Sequence, residues 1–117
     1  MDDLIIEVDD SLAGVAVLRL TGPLTMRTLF DLQDTARSRA ADSIVIDLAG
    51  VPYIDSAGLG AMLGVMASCQ RQGKGFAACG VSDRVKTLFE MTRVDSLVPL
   101  FDTAERARAG VARPAEA

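Results

Sequence analysis

No histidine occurs among the 117 residues. Its absence removes imidazole general-base catalysis, Ser-His-Asp triads and every zinc site with a histidine ligand. Tryptophan is missing too, and aromatics make up only 4 % of a chain that is 50 % hydrophobic. The two cysteines, Cys69 and Cys79, form no CxxC pair, and they read as small apolar side chains in a reduced cytoplasmic setting. There is no long basic block. Charges total 12 basic against 16 acidic, a net of −4, which argues against electrostatic capture of nucleic acid or an anionic membrane. The longest apolar run, Ala57 to Cys69, falls short of the about 20 residues needed to cross a bilayer, so no membrane insertion is expected. Met1-Asp2-Asp3 is acidic where a secretory signal is basic, and a cytoplasmic location is expected. A chain of this length is expected to form one domain over residues 1–112, with 113–117 a disordered tail. Such a domain buries roughly two-thirds of its unfolded surface and needs no disulfide or metal to fold.

What is present follows an α/β rhythm. Leu4–Val8 and Val15–Leu20 are short β-like segments around a polar turn, Asp9–Gly14, and predict a hairpin. Gly22-Pro23 ends the second strand. Thr25 is the expected N-cap of a helix over 26–39, with Leu29, Leu32 and Ala36 along its buried stripe. Ser43–Leu48 is continuously apolar, as in a strand covered by helices on both sides. A loop with Gly50 and Pro52 leads to Asp55-Ser56 and a second helix reaching about Gln72, which Gly73-Lys74-Gly75 breaks. Phe76–Cys79 reads as a strand, and Ser82 caps a third helix with Val85, Leu88 and Phe89 inward. Val98–Phe101 is weakly extended and precedes an Ala- and Arg-rich helix from near Asp102, frayed from Gly110 onward. Strand and helix alternating after a hairpin predicts layered α/β architecture with parallel crossovers.

The segment Asp55-Ser56-Ala57-Gly58-Leu59-Gly60 carries the most chemistry. Ser56 lies where a loop meets a helix, near free N–H groups and the positive end of the helix dipole. Two readings stay open: Asp55 or Ser56 is only a cap, or Ser56 accepts a phosphate. A hydrolase nucleophile is a poor third, since Ile54 stands where a nucleophile elbow has its first glycine and no histidine can serve as base. Along the helix, Leu59, Met62, Leu63, Met66 and Cys69 have core spacing. Gly60, Gly64 and Ala67 form a strip of small residues, open to two readings: close packing against a neighbouring helix, or a flat surface for a protein partner. Gly58, Gly60 and Gly64 make no dinucleotide fingerprint, and no phosphate-loop Gly-Lys-Ser/Thr follows, so no cofactor is assigned. Asp47 and Asp55 lie at or beyond a strand end, but two distant acids are too few for a metal site, and Asp47 reads as a structural hydrogen-bonding residue. Arg37, Arg39, Arg106, Arg108 and Arg113 read as solvated surface.

The run Val45-Ile46-Asp47-Leu48-Ala49-Gly50-Val51-Pro52-Tyr53-Ile54-Asp55-Ser56-Ala57-Gly58-Leu59-Gly60 resembles the signature of STAS domains, specifically bacterial anti-sigma factor antagonists. Gly80 to Thr92 is similar to that family's later segment, and Leu20-Thr21-Gly22-Pro23-Leu24 to its early one. The resemblance implies the STAS fold: a mixed, mostly parallel sheet with an N-terminal hairpin and about four helices. It also implies partner switching without enzyme activity. The unphosphorylated antagonist binds an anti-sigma factor that is a serine kinase and so frees the sigma factor. The kinase phosphorylates the serine matching Ser56, the complex dissociates, and a PP2C-type phosphatase reverses the mark. Thr25, Asp55, Ser56, Ala57, Gly58, Leu59, Gly60, Gly64 and Ala67 are then the expected partner surface. Other STAS machines, a stress-signalling scaffold or a lipid-transporter subunit, are the alternative. Thr25 stands where members commonly carry Asp, so a carboxylate that would orient the serine or a metal, or repel the phosphate, is missing. Ala57 replaces a frequent second Ser, and Arg93 a frequent Gly, which implies a local difference in helix ending.

Overall fold

The computed structural model describes residues 3–111. The expected hairpin is formed by β1 (Ile5–Asp9) and β2 (Val15–Thr21), antiparallel from Ile5↔Thr21 to Asp9↔Val17. The strand β3 (Ser43–Gly50) lies parallel to β2, β4 (Gly75–Cys79) parallel to β3, and the two-residue β5 (Leu100–Phe101) parallel to β4. Each parallel step is carried by a helix: α1 (Leu29–Arg37), α2 (Ser56–Arg71), then α3 (Asp83–Met91) with a 3-10 turn at Val94–Ser96. A fourth helix, α4 (Ala104–Val111), follows β5. The five-stranded sheet therefore has the order β1-β2-β3-β4-β5 and is the mixed, mostly parallel α/β arrangement expected from the sequence.

Strand alternation divides the core in two. Leu18, Leu20, Ile44, Ile46, Leu48, Phe76 and Ala78 point to one face, where they meet Leu32 of α1, Met62 of α2 and Val85 and Phe89 of α3. Their neighbours Val15, Val17, Val45, Ala77 and Cys79 point to the other face, onto Ala107 of α4. β2, β3 and β4 thus pack on both sides, which explains why Val15–Leu20 and Ser43–Leu48 are apolar without clean alternation. Both cysteines are free and buried. Burial, reinforced by the neighbouring Asp47 carboxylate, pushes the Cys79 thiol up to about 12.

Several expectations change. The helix expected over 26–39 with Thr25 as cap begins only at Leu29. Thr25 instead opens a turn: the Thr28 and Leu29 N–H groups both donate to its carbonyl, at 3.0 and 2.9 Å. The buried Thr28 hydroxyl holds that turn by donating to the Pro23 carbonyl at 2.9 Å and accepting from the Thr25 N–H at 3.0 Å. Gly110 is not frayed. It lies inside α4, and a Cβ there would come within 2.5 Å of the Phe101 ring Cζ. The expected tail at 113–117, with Arg113, lies outside the described residues. Arg37 and Arg106 are exposed as expected, each beside an Asp on its own helix flank. Arg108 is not simply solvated: its side chain is only 19 % exposed and lies 3.6 Å from Asp9, fixing α4 to the hairpin. Arg19 continues this network, at 3.3 Å from Asp9 and 3.7 Å from Asp47. Arg39 is half-buried and faces Asp10 at 3.8 Å. Arg93 has φ 62°, the left-handed conformation that favours glycine, at the end of α3.

Candidate functional site

Two loops meet beyond the C-terminal ends of β2 and β3. Leu24 and Ile54 pair there in an isolated parallel bridge. The Leu24 N–H donates to the Tyr53 carbonyl, and the Asp55 N–H donates back to the Leu24 carbonyl, both at 3.2 Å. Leu24, Val51 and Ile54 are buried beneath this junction, so hydrophobic anchoring and backbone pairing fix it together. Asp55 completes it. One carboxylate oxygen accepts from the Gly58 N–H at 2.7 Å, and the other accepts from the Met26 N–H at 3.1 Å, 29 residues away.

That geometry resolves the choice of cap. Asp55, with φ −91° and ψ 178°, is the N-cap of α2, and Ser56 is the first helical residue. Ser56 is exposed, so its hydroxyl faces solvent beside the unpaired N–H groups of the first helical turn. Gly58 sits against the Leu24 carbonyl so closely that a Cβ would collide with it. This close approach lets α2 start directly on the β2–α1 junction and holds Ser56 at its rim.

The two sides of α2 differ. Leu59, Met62, Met66 and Cys69 are buried as expected, while Leu63 is half-buried. Gly60 and Gly64 are exposed, and a Cβ built on either meets nothing within 4 Å. Close helix packing therefore does not account for these two glycines among the described residues; they form a smooth outward strip, with half-buried Ala67 along it and half-buried Ala57 at its start. Of the expected partner residues, the fold brings Asp55, Ser56, Ala57, Gly60, Gly64 and Ala67 onto or beside one continuous edge. Gly58 and Leu59 are buried and serve the fold beneath it. Thr25 is half-buried, its hydroxyl accepting from the Arg27 N–H at 3.2 Å, and it neighbours the Met26–Asp55 contact.

Asp47 and Asp55 do not come together as a pair. Asp47 accepts from the Ala49 N–H at 3.0 Å and faces Arg19 on the α4 side of the sheet, the structural role read from the sequence. Among the described residues, no group of three or more His, Cys, Asp or Glu side chains is placed to hold a metal. A groove of about 330 Å³ between α1 and α2 is lined by Gly64, so it borders the strip at mid-helix and runs from there toward the C-terminal end of α2, with Arg37, Arg71 and Lys74 around it. Sequence reasoning missed three features near the site. Thr28 organises the turn under it; Arg84 stacks 5.4 Å over the Tyr53 ring; and Met26 and Phe30 are 69 % and 66 % exposed.

The STAS domain family profile matches residues 6–107. The chain is 29 % identical over 93 residues to the anti-sigma F factor antagonist of Paenibacillus polymyxa, covering 76 % of this chain and 80 % of that protein. Its fold is similar to the crystal structure of an anti-sigma factor antagonist from Mycobacterium paratuberculosis, with TM-score 0.77, 23 % identity, and 94 % and 95 % of the two chains covered. It is similar as well to the phosphorylated form of the Bacillus cell fate determinant SpoIIAA, with TM-score 0.72, 17 % identity, and coverage of 93 % and 100 %. Among the described residues, no helix is long and apolar enough to cross a membrane.

Proposed function

The chain belongs to the STAS domain family, and from that premise we propose that it is an anti-sigma factor antagonist switched off by phosphorylation of Ser56. In its unmodified form it binds an anti-sigma serine kinase in the cytoplasm and releases the sigma factor held there. The observation that carries this reading is Ser56 itself: an exposed hydroxyl at the first position of α2, left free because Asp55 takes the capping role. In the kinase site the Ser56 oxygen attacks the γ-phosphorus of ATP, ADP leaves, and the hydroxyl proton passes to a kinase base. A PP2C-type phosphatase restores the hydroxyl with water and releases phosphate. This chain is substrate and binding module, with no catalysis of its own.

The switch follows from where the charge lands. Phosphate adds about −1.5 to −2 to the rim of an uncharged surface built from Gly60, Gly64 and Ala67. The N-terminus of α2 tolerates that charge while it is solvated, which keeps the phosphorylated form folded. Pressed into a partner, the same phosphate loses water and meets the Asp55 carboxylate nearby. A penalty of about 3 kcal/mol lowers affinity roughly a hundredfold. Incubation with the cognate kinase and ATP, followed by peptide mapping, tests the reading; phosphate is expected on Ser56 alone. Absence of phosphate there, or a Ser56→Asp variant that binds as tightly as wild type, rejects it.

A further inference from the structure

We infer that the groove between α1 and α2 is a binding site for a small organic anion, an alkyl carboxylate with a short aliphatic chain. It goes beyond the reading of Ser56 and does not depend on it. At about 330 Å³ the groove lies at the lower end of the range of small-molecule sites, about 300–1,000 Å³. Its floor is aliphatic: Ala36, Ile44 and Val65 line it and are at most 7 % exposed. Cys69 completes the floor as a neutral thiol, because burial pushes its ionisation up, with Lys74 pulling the other way. That opposing pull places the Lys74 ammonium within electrostatic reach of the floor. Lys74 is half-buried, and its Nζ donates to the Arg39 carbonyl at 3.3 Å, which leaves further N–H bonds for a ligand.

Charge defines the head of the ligand. The lining holds Arg37, Arg71 and Lys74 and no carboxylate, in a chain whose net charge is −4. Arg37 is already paired with Asp34 at 3.2 Å. Among the described residues, Arg71 and Lys74 take part in no ion pair. Part of their charge answers the helices, since α1 ends at Arg37 and α2 at Arg71, and a helix C-terminus carries about −0.5. Two such ends against two unpaired cations leave about one positive charge. A single carboxylate balances it, whereas a di- or triphosphate would bring excess negative charge onto an apolar floor. The body of the ligand follows from the floor. No aromatic ring lines the groove, so a nucleobase has nothing to stack on. An aliphatic chain matches Ala36, Ile44 and Val65, and its burial adds binding that an inorganic anion lacks.

The test is an NMR titration of the full chain with sodium hexanoate near neutral pH, following backbone amides. Saturable shifts are expected at Gly64, Ser68, Gln72 and Lys74, which line the groove. The expected Kd is about 1 mM, the scale open to so small a ligand. Arg71→Gln and Lys74→Gln each remove one charge, and each is expected to weaken hexanoate about fivefold while melting near wild type. Hexan-1-ol, with the same chain and no charge, is expected to bind about tenfold more weakly than hexanoate. Absence of saturable shifts up to about 20 mM overturns the site. So do shifts centred away from the groove, or unchanged affinity in Arg71→Gln, whose exposed side chain can be altered without touching the core. Equal binding of hexan-1-ol reduces the groove to apolar adherence, and tighter binding of ATP or inorganic phosphate makes it a phosphate site; either result rejects the alkyl carboxylate.

Discussion

Gly58→Ala tests the junction that holds Ser56 at the rim. An alanine Cβ at this position would collide with the Leu24 carbonyl oxygen and come within 2.6 Å of its carbon and 3.1 Å of the Leu24 side-chain Cγ. Leu24 cannot retreat freely, because it is fully buried and its carbonyl accepts the Asp55 N–H at 3.2 Å. Relief requires α2 to lift from the junction, straining the Leu24–Ile54 bridge and the two bonds that Asp55 accepts. Overpacking of this kind costs about 1–3 kcal/mol, and a weakened cap adds about 1 kcal/mol. The better helix propensity of alanine returns about 1 kcal/mol. A net loss of about 1–3 kcal/mol remains, or a fall in Tm of roughly 4–12 °C at about 4 °C per kcal/mol. Thermal melts by circular dichroism measure it, and binding to the anti-sigma factor is expected to drop as Ser56 shifts. A Gly58→Ala protein as stable as wild type would refute the packing argument.

The other two glycines of α2 should behave oppositely. Gly60→Ala and Gly64→Ala meet open space and are expected to raise stability by about 0.5–1 kcal/mol each in urea denaturation, from helix propensity alone. Arg93→Gly relieves a left-handed φ of 62° on an exposed residue and is expected to gain about 0.5–1 kcal/mol by the same assay. Asp9 has its carboxyl held below the ordinary 3.8, by hydrogen bonds from Ser11 first and then by Arg108 and Arg19. Folding therefore favours its ionised form. That contribution is complete above pH 3.8 and is lost as pH falls through the lower folded value. Asp9→Asn is expected to lower Tm at neutral pH, and the gap to wild type to close under acid; a gap constant with pH contradicts the network.

The layers of the fold were legible because they depend on patterns within short windows. A continuous apolar Ser43–Leu48 announces a strand covered twice, and the Leu59, Met62, Met66, Cys69 spacing announces the inward face of α2. The candidate serine was legible from a motif that sits at one loop–helix boundary. What the sequence left open depends on bonds between distant segments. Both Asp55 and Ser56 suit a helix cap; the choice falls to Asp55 because a backbone N–H 29 residues earlier takes its second oxygen. Thr25 likewise looked like a cap, but the Thr28 hydroxyl turns inward to Pro23 and delays the helix by a turn. Arg108 reads as one more surface charge until α4 folds across the sheet and sets it against Asp9 and, 97 residues away, Ser11. Local propensity does not contain such pairings.

A phosphate on Ser56 is expected to break the proposed complex with the anti-sigma factor. The most direct measurement is the Kd of the purified, Ser56-phosphorylated chain against that of the unmodified chain, titrated into the same anti-sigma factor preparation. A rise in Kd of roughly a hundredfold, corresponding to about 3 kcal/mol, is expected. Equal Kd values for the two forms would rule out a phosphate switch at Ser56.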